Sequence, residues 1–453
     1  MTYNYMMLWF RCSDRNSLTH PKKGYRLKYQ PIMSGELQLM KQRIRIFLIW
    51  LGIAGSTGVL TGAASALLLA LLDTATNQRL AHPWLLWLLP LGGALVSCLY
   101  IKLGGDAGKG NNLVLEQLHA EDGGVPLRMA PLVLFGTMIT HLFGGSAGRE
   151  GTAVQMGGSM ASYIGRLCRL GGLERKMLLI CGISGGFGSV FGTPLAGAIF
   201  SLELLAIGLV PYWLLLPALA AGFTGHAVAL GLGTHHSHYA IGSLPGFNIK
   251  LLLAIVLAAV LFGLTARLFV MLTHKLKALF SHYIPNPAIK SFIGGLLIIL
   301  LVYVIGTRDY VGLGLPLMEQ AFQEALSPFA FLLKILFTAV TLGAGFQGGE
   351  VTPLFVIGSA LGSALGGLLS VSVPLLAGIG FVAVFGSSAN TPLAAAVMGM
   401  ELFGIEAFPY LLLGCIISYL FSGHTGIYWS RRTHKLKLRF KRQKQEKTLQ
   451  ETT

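Results

Sequence analysis

The stretch 187-FGSVFGTPLAGAIFSLELLAIG-208 returns 198 residues later as 385-FGSSANTPLAAAVMGMELFGIE-406. Both copies keep a Thr-Pro-Leu-Ala tetrad, at Thr193–Ala196 and Thr391–Ala394, and then a glutamate, Glu203 or Glu401. Outward from this pair, 148-GREGTAVQMGGS-159 aligns with 348-GGEVTPLFVIGS-359 at an offset of 200. That alignment sets Glu150 on Glu350, Thr152 on Thr352 and Ser159 on Ser359. Two separate matches at nearly one offset mark a duplication, with repeats at about 45–240 and 245–425.

The solvent of these repeats is lipid. Apolar residues make up 53% of the 453 and charged residues only 11%, and the mean hydropathy is +0.66. A soluble domain carries roughly 25% charge. Runs such as 46–72 and 251–272 are long enough to cross a hydrocarbon core of roughly 30 Å. The chain is therefore expected to be an all-α, multi-pass membrane protein in contact with lipid.

The net charge of +16 lies largely in two basic stretches, 11–45 and 431–447, which flank the apolar body. Their aromatic residues are few, Tyr25, Tyr29 and Phe440, so they read as topology determinants and not as a nucleic-acid surface. Three segments are expected: a basic, disordered cytosolic tail over 1–44, a transmembrane transport domain over 45–430, and a basic cytosolic tail over 431–453. Both termini then face the cytosol, in the plasma (inner) membrane of a bacterium. The polar segment 1–32 has no signal-peptide pattern. It reads as a tail, or as sequence upstream of a start near Met33 or Met40.

Several apolar stretches (128–143, 150–166, 175–191 and 194–207) are short for a full crossing and are bounded by glycine-rich turns. Short, interrupted segments at matching places in two halves point to discontinuous helices that meet near the membrane midplane. A helix that starts there aims unpaired N–H groups and its positive dipole end into the cavity, which suits an anion. Such starts are expected beside 108-GKGNN-112, 148-GREGT-152, 348-GGEVTP-353 and 190-VFGTPL-195. Glu150, inside one of them, can occupy the anion site as a tethered competitor. Its protonation would release it and so link proton movement to anion movement.

These motifs resemble the CLC family of chloride channels and anion/proton antiporters over roughly 45–430. GREGT at 148–152 is similar to the family's GREGP and puts Glu150 at the gating, proton-accepting position. In 348-GGEVTPLFVIG-358, Val351 takes the Phe place and Pro353 the Pro place of the family's GxFxP, and Tyr428 matches its pore tyrosine. The resemblance implies an inverted-repeat helical bundle and a homodimer with one pore per subunit. Chloride members carry GSGIP where this chain has 108-GKGNN-112. With GREGT and GGEVTP, that difference resembles the fluoride/proton antiporter branch. The anion-binding positions implied are Gly108, Lys109, Gly110, Asn111, Gly151, Thr152, Glu350, Val351, Thr352 and Tyr428. Lys109 either touches the anion or snorkels to the aqueous vestibule. The family's internal proton glutamate aligns with Leu204, which leaves Glu203 or Glu350 as a proton route.

The function expected is export of fluoride in exchange for protons, without a cofactor, metal or enzymatic step. A chloride/proton exchanger or chloride channel is the alternative. Fluoride is smaller and more strongly hydrated than chloride, so its site needs more donors. Asn111, Asn112, Thr152 and Thr352 supply them. A rival from another class, the GxSG of intramembrane proteases at 182-GISG-185, would make Ser184 a nucleophile. The scattered cysteines and the apolar-segment histidines His141 and His226 read as packed residues, and His424 as a candidate to tune the inner vestibule.

Overall fold

The computed structural model describes residues 32–120, 124–205, 214–236, 239–242, 244, 246 and 248–428. Residues 1–31 and 429–453, which include most of both basic tails, lie outside them. The described residues form sixteen α-helices and no strand. In the first repeat these are α1 (Ile32–Ala81), α2 (Leu89–Leu99), α3 (Asn111–His119), α4 (Met129–Leu142), α5 (Glu150–Leu167), α6 (Gly172–Phe191), α7 (Pro194–Leu205) and α8 (Leu215–Gly231). The second repeat follows as α9 (Ile249–Tyr283), α10 (Pro287–Ile305), α11 (Leu315–Gln323), α12 (Ala330–Gly343), α13 (Val351–Leu369), α14 (Val373–Ala389), α15 (Pro392–Phe403) and α16 (Phe408–Phe421). Each helix of one half thus has a counterpart eight helices on. The duplication extends well beyond the motifs that disclosed it.

The quoted stretch folds as its punctuation dictates. Gly192 and Asn390, at equivalent places, end α6 and α14 in left-handed conformation, with φ of +75° and +56°. Glycine adopts that region freely and asparagine is among the residues that tolerate it. Two residues later Pro194 and Pro392 open α7 and α15, where a missing N–H costs nothing.

Packing repeats as well. Gly157 on α5 faces Gly182 on α6, and in the second repeat Gly358 on α13 and Gly380 on α14 face each other in the same way. A Cβ on any of the four would run into the opposite backbone. Close backbone approach between small residues is how helices associate where lipid removes the hydrophobic drive. The halves are related by an inverted two-fold. Gly148 and Gly349, one glycine from each half, form an isolated antiparallel bridge between them.

Among the described residues, five helical stretches are long and apolar enough to span a membrane, including Ile249–Tyr283 and Pro287–Ile305, and seven apolar helices are shorter. Leu253, Leu257, Leu296 and Leu300 stand exposed on the long ones, as a lipid-facing surface requires. Of the cysteines, Cys181 and Cys415 are buried as expected, but Cys98 and Cys168 are exposed. Ser184 is a packed residue: its hydroxyl donates to the Ala218 carbonyl at 2.7 Å and its exposure is 0%.

Candidate functional site

Three helix starts converge where the repeats meet. Neither α5 nor α13 is capped by the side chain of its own N-cap residue, so its first-turn N–H groups are left to partners from elsewhere. Gly148 N–H donates to the Gly349 carbonyl at 2.6 Å and Gly349 N–H returns the bond at 2.7 Å, which clamps the two starts face to face. The third start, α3, begins at Asn111 after Gly110, whose φ of +61° makes the turn. Gly151 is needed here because a Cβ on it would lie 2.7 Å from Asn111 Nδ2 and 3.2 Å from the Gly349 Cα.

Glu150 reaches across this junction. Its carboxylate accepts from the Thr352 backbone N–H at 3.0 Å and from the Thr352 hydroxyl. A carboxylate from one repeat therefore sits on the helix start of the other, with 1% of its surface exposed. Among the described residues no salt bridge reaches it. Charge-assisted bonds to backbone N–H groups are about twice as strong as neutral ones.

The other expected residues divide into two groups. Gly151, Thr152, Val351 and Thr352 are buried at the junction with Glu150. Gly108, Lys109, Gly110, Asn111, Glu350 and Tyr428 line an adjoining cavity of about 400 Å³. Glu350, two residues from Thr352, joins the two groups. His424 is exposed and does not line this cavity.

Four local details add to the simplest reading. Thr152 shares its hydroxyl with Thr137 at 2.6 Å, and Asn111 Oδ1 accepts from Gln155 Nε2 at 3.1 Å. Lys109 reaches Glu116 at 3.1 Å and Asp106 at 3.9 Å, with half its side chain exposed. The fourth helix start, at 190–195, is not open. Glu401 accepts from the N–H groups of Leu195 and Ala196 at 2.9 and 2.8 Å. Reciprocally, Glu203 accepts from Leu393 and Ala394 at 3.4 and 2.8 Å. The two motif glutamates are caps for each other's repeat, and α7 offers its first N–H groups to a carboxylate instead of a mobile anion.

Lys334 was not singled out in the sequence, although a lone lysine inside the apolar run 330-AFLLKILFTAVTLG-343 is itself a signal. It is fully buried, and its ammonium donates to Ser146 Oγ at 3.0 Å, the Tyr310 carbonyl at 3.1 Å and the Gly312 carbonyl at 3.0 Å. These bonds tie the segment before Gly148 to the 310–312 loop. His141, also fully buried, lies 3.4 Å from the Gly148 carbonyl through Nε2, a packed histidine as expected.

Comparison with known proteins agrees with this architecture. The family model described as "Voltage gated chloride channel" matches residues 92–423. The chain is 47% identical over 411 residues to a "Chloride/fluoride channel protein" of Pseudomonas syringae pv. tomato, covering 88% of this chain and 91% of that one. It is 26% identical over 390 residues to an "H(+)/Cl(-) exchange transporter ClcA" of Cronobacter sakazakii, covering 77% and 81% respectively. The solved structure of a CLC-type fluoride/proton antiporter superposes with a TM-score of 0.83 at 34% identity, over 86% of this chain and 98% of that one. The duplicated helices, the facing glycines and the glutamate between them thus belong to a member of the CLC voltage-gated chloride channel family.

Proposed function

We propose that this CLC anion transporter exchanges fluoride for protons across the plasma membrane of a bacterium, with fluoride leaving the cytosol. The observation that carries the reading is the carboxylate of Glu150 seated on the start of α13, bonded to Thr352. In that place it competes with an anion for the same N–H and hydroxyl donors. Protonation removes its charge and weakens both bonds, so an anion takes the vacated donors while the neutral carboxyl carries the proton. When the anion leaves, the carboxyl gives its proton up and returns to the donors. Glu350, between the cavity and Thr352, is the side chain placed to pass protons inward in the absence of a glutamate at Leu204. Glu203 is committed to the start of α15 and is set aside.

Fluoride is favoured by donor chemistry. Thr352 offers a hydroxyl and a backbone N–H together, and Asn111 and Thr152 stand at the same junction. A small, strongly hydrated anion gains most from many strong donors. The fluoride-linked names of the relatives at 47% and 34% identity support the same choice. A homodimer with one pore in each subunit, surrounded by lipid and with both termini in the cytosol, completes the proposal.

The test is flux from proteoliposomes loaded with fluoride or with chloride. Fluoride efflux accompanied by proton uptake is the expected result, and Glu150→Gln abolishes the proton movement. Chloride efflux without proton movement would overturn the reading.

A further inference from the structure

The 400 Å³ cavity has a second wall that the transport motifs do not touch. One wall carries the 108–112 turn, Glu350 and Tyr428. The other is made by the end of α9 and the start of α10, through Thr273, His274, Lys277 and Lys290. Lys109 on the first wall is paired with Glu116 and Asp106, so much of its charge is locally balanced. Lys277 and Lys290 have no carboxylate within ion-pair distance among the described residues. Glu350 is the one carboxylate among the described lining residues. Lys277 acts electrostatically on His274 and Lys290 of its own wall and on Glu350 of the other. Lys290 folds over the turn before Gln347: its Cε would lie 3.4 Å from a Cβ on Gly345.

Thr273 supplies an independent sign of a ligand. Thr273 is among the residues lining the cavity and is buried, with 4% exposure, yet its hydroxyl has no hydrogen-bond partner. A helical threonine ordinarily donates to a carbonyl one turn back, and a buried hydroxyl left unpaired is costly. The Tyr100 hydroxyl, also buried without a partner, belongs to the same cavity. Unbalanced positive charge beside two unsatisfied hydroxyls, in a concave site with low-dielectric walls, is the chemistry of a small anion.

We infer that the α9–α10 wall is an anion-binding subsite in its own right, where Lys277, Lys290 and Thr273 hold a halide before it steps to the helix starts at Asn111 and Val351. Basic residues near span ends also serve as topology determinants. That role alone leaves the unpartnered Thr273 hydroxyl unexplained, and it does not require Lys277 and Lys290 to line the cavity while the adjacent Lys275 does not. The inference rests on the anion-transport reading, but not on which halide is moved.

The experiment measures initial efflux rates of fluoride, and separately of chloride, against anion concentration on the cavity side, using the full chain in proteoliposomes. Lys277→Gln/Lys290→Gln raises KM roughly tenfold at low ionic strength, the scale of electrostatic focusing in a charged cleft, and kcat stays within about twofold. Adding an inert salt shrinks that difference as screening sets in. Thr273→Val also raises KM, and its effect persists in salt because a hydroxyl contact is not screened. An unchanged KM in both variants overturns the subsite, as does a fall in kcat with KM unchanged. If the wild type moves chloride alone, the fluoride reading fails while the KM test continues with chloride.

Discussion

At the scale of single residues, Thr352 and Lys334 carry the sharpest expectations. Thr352 gives a hydroxyl and an N–H to Glu150, and an anion in that place would use the same donors. Loss of the hydroxyl weakens carboxylate and anion together, so competition between them changes little. Selectivity does change, because a small, strongly hydrated anion gains more from the donor than a larger one. With a charge-assisted bond at about 1.5–3 kcal/mol, Thr352→Val is expected to reduce the fluoride-over-chloride preference about tenfold, and Thr352→Ser to retain it. Paired efflux rates for the two halides check this. Lys334→Met removes a buried charge but leaves the carbonyls of Tyr310 and Gly312 without this donor, while Ser146 Oγ keeps Thr338 Oγ1 at 2.9 Å. At about 1–3 kcal/mol for each buried group left unpaired, stability falls by about 2 kcal/mol or more. Thermal unfolding in detergent would show the loss. A melting point equal to wild type would mean that the two carbonyls find other partners.

At the scale of elements, the sequence announced helix boundaries better than helix roles. The short stretches read as 128–143 and 194–207 appear as Met129–Leu142 and Pro194–Leu205, because glycine and proline punctuate them. GREGT and GGEVTP also marked the two starts that face each other. What could not be read was which starts remain open. The carboxylates that close α7 and α15 come from about 200 residues away, and local pattern carries no record of so distant a partner. Thr152 has a nearer partner, Thr137 on the preceding helix, but their meeting depends on how α4 and α5 pack and not on a local motif. The crossed caps predict a symmetric response. Glu401→Gln and Glu203→Gln keep the volume but lose the charge and one acceptor oxygen, at about 1–2 kcal/mol each. Each variant should unfold earlier in detergent by a similar amount, and the double variant by roughly the sum, since each carboxylate serves a different helix. A large effect from one and none from the other would show that the two caps are not equivalent in energy.

At the scale of the whole molecule, the two ends of α10 define the membrane's two faces. Its 19 residues rise about 28 Å at 1.5 Å each, enough to cross the hydrocarbon. Lys290, near the start, lines the cavity beside Lys109, and Asp309 follows the other end. Trp84 and Trp87 stand exposed at that far end, where Trp87 lies 5.3 Å from Tyr303 and the Arg308 guanidinium donates to the Pro83 carbonyl at 3.1 Å. Aromatic residues gather at membrane interfaces, and lysines mark the cytosolic side. The cavity with Lys109, Lys277 and Lys290 therefore opens inward under the proposed orientation, and Asp309 faces out. A chain with Cys12, Cys98 and Cys168 replaced by serine provides the background for labelling. In it, Asp309→Cys should react with a membrane-impermeant thiol reagent added to intact cells, and Asp106→Cys only in inverted vesicles. Asp106 is 72% exposed at the side chain, so failure to label it from outside reflects the barrier and not burial. The opposite pattern would turn the molecule over, place the cavity outside and reverse the direction in which its lysines gather anions.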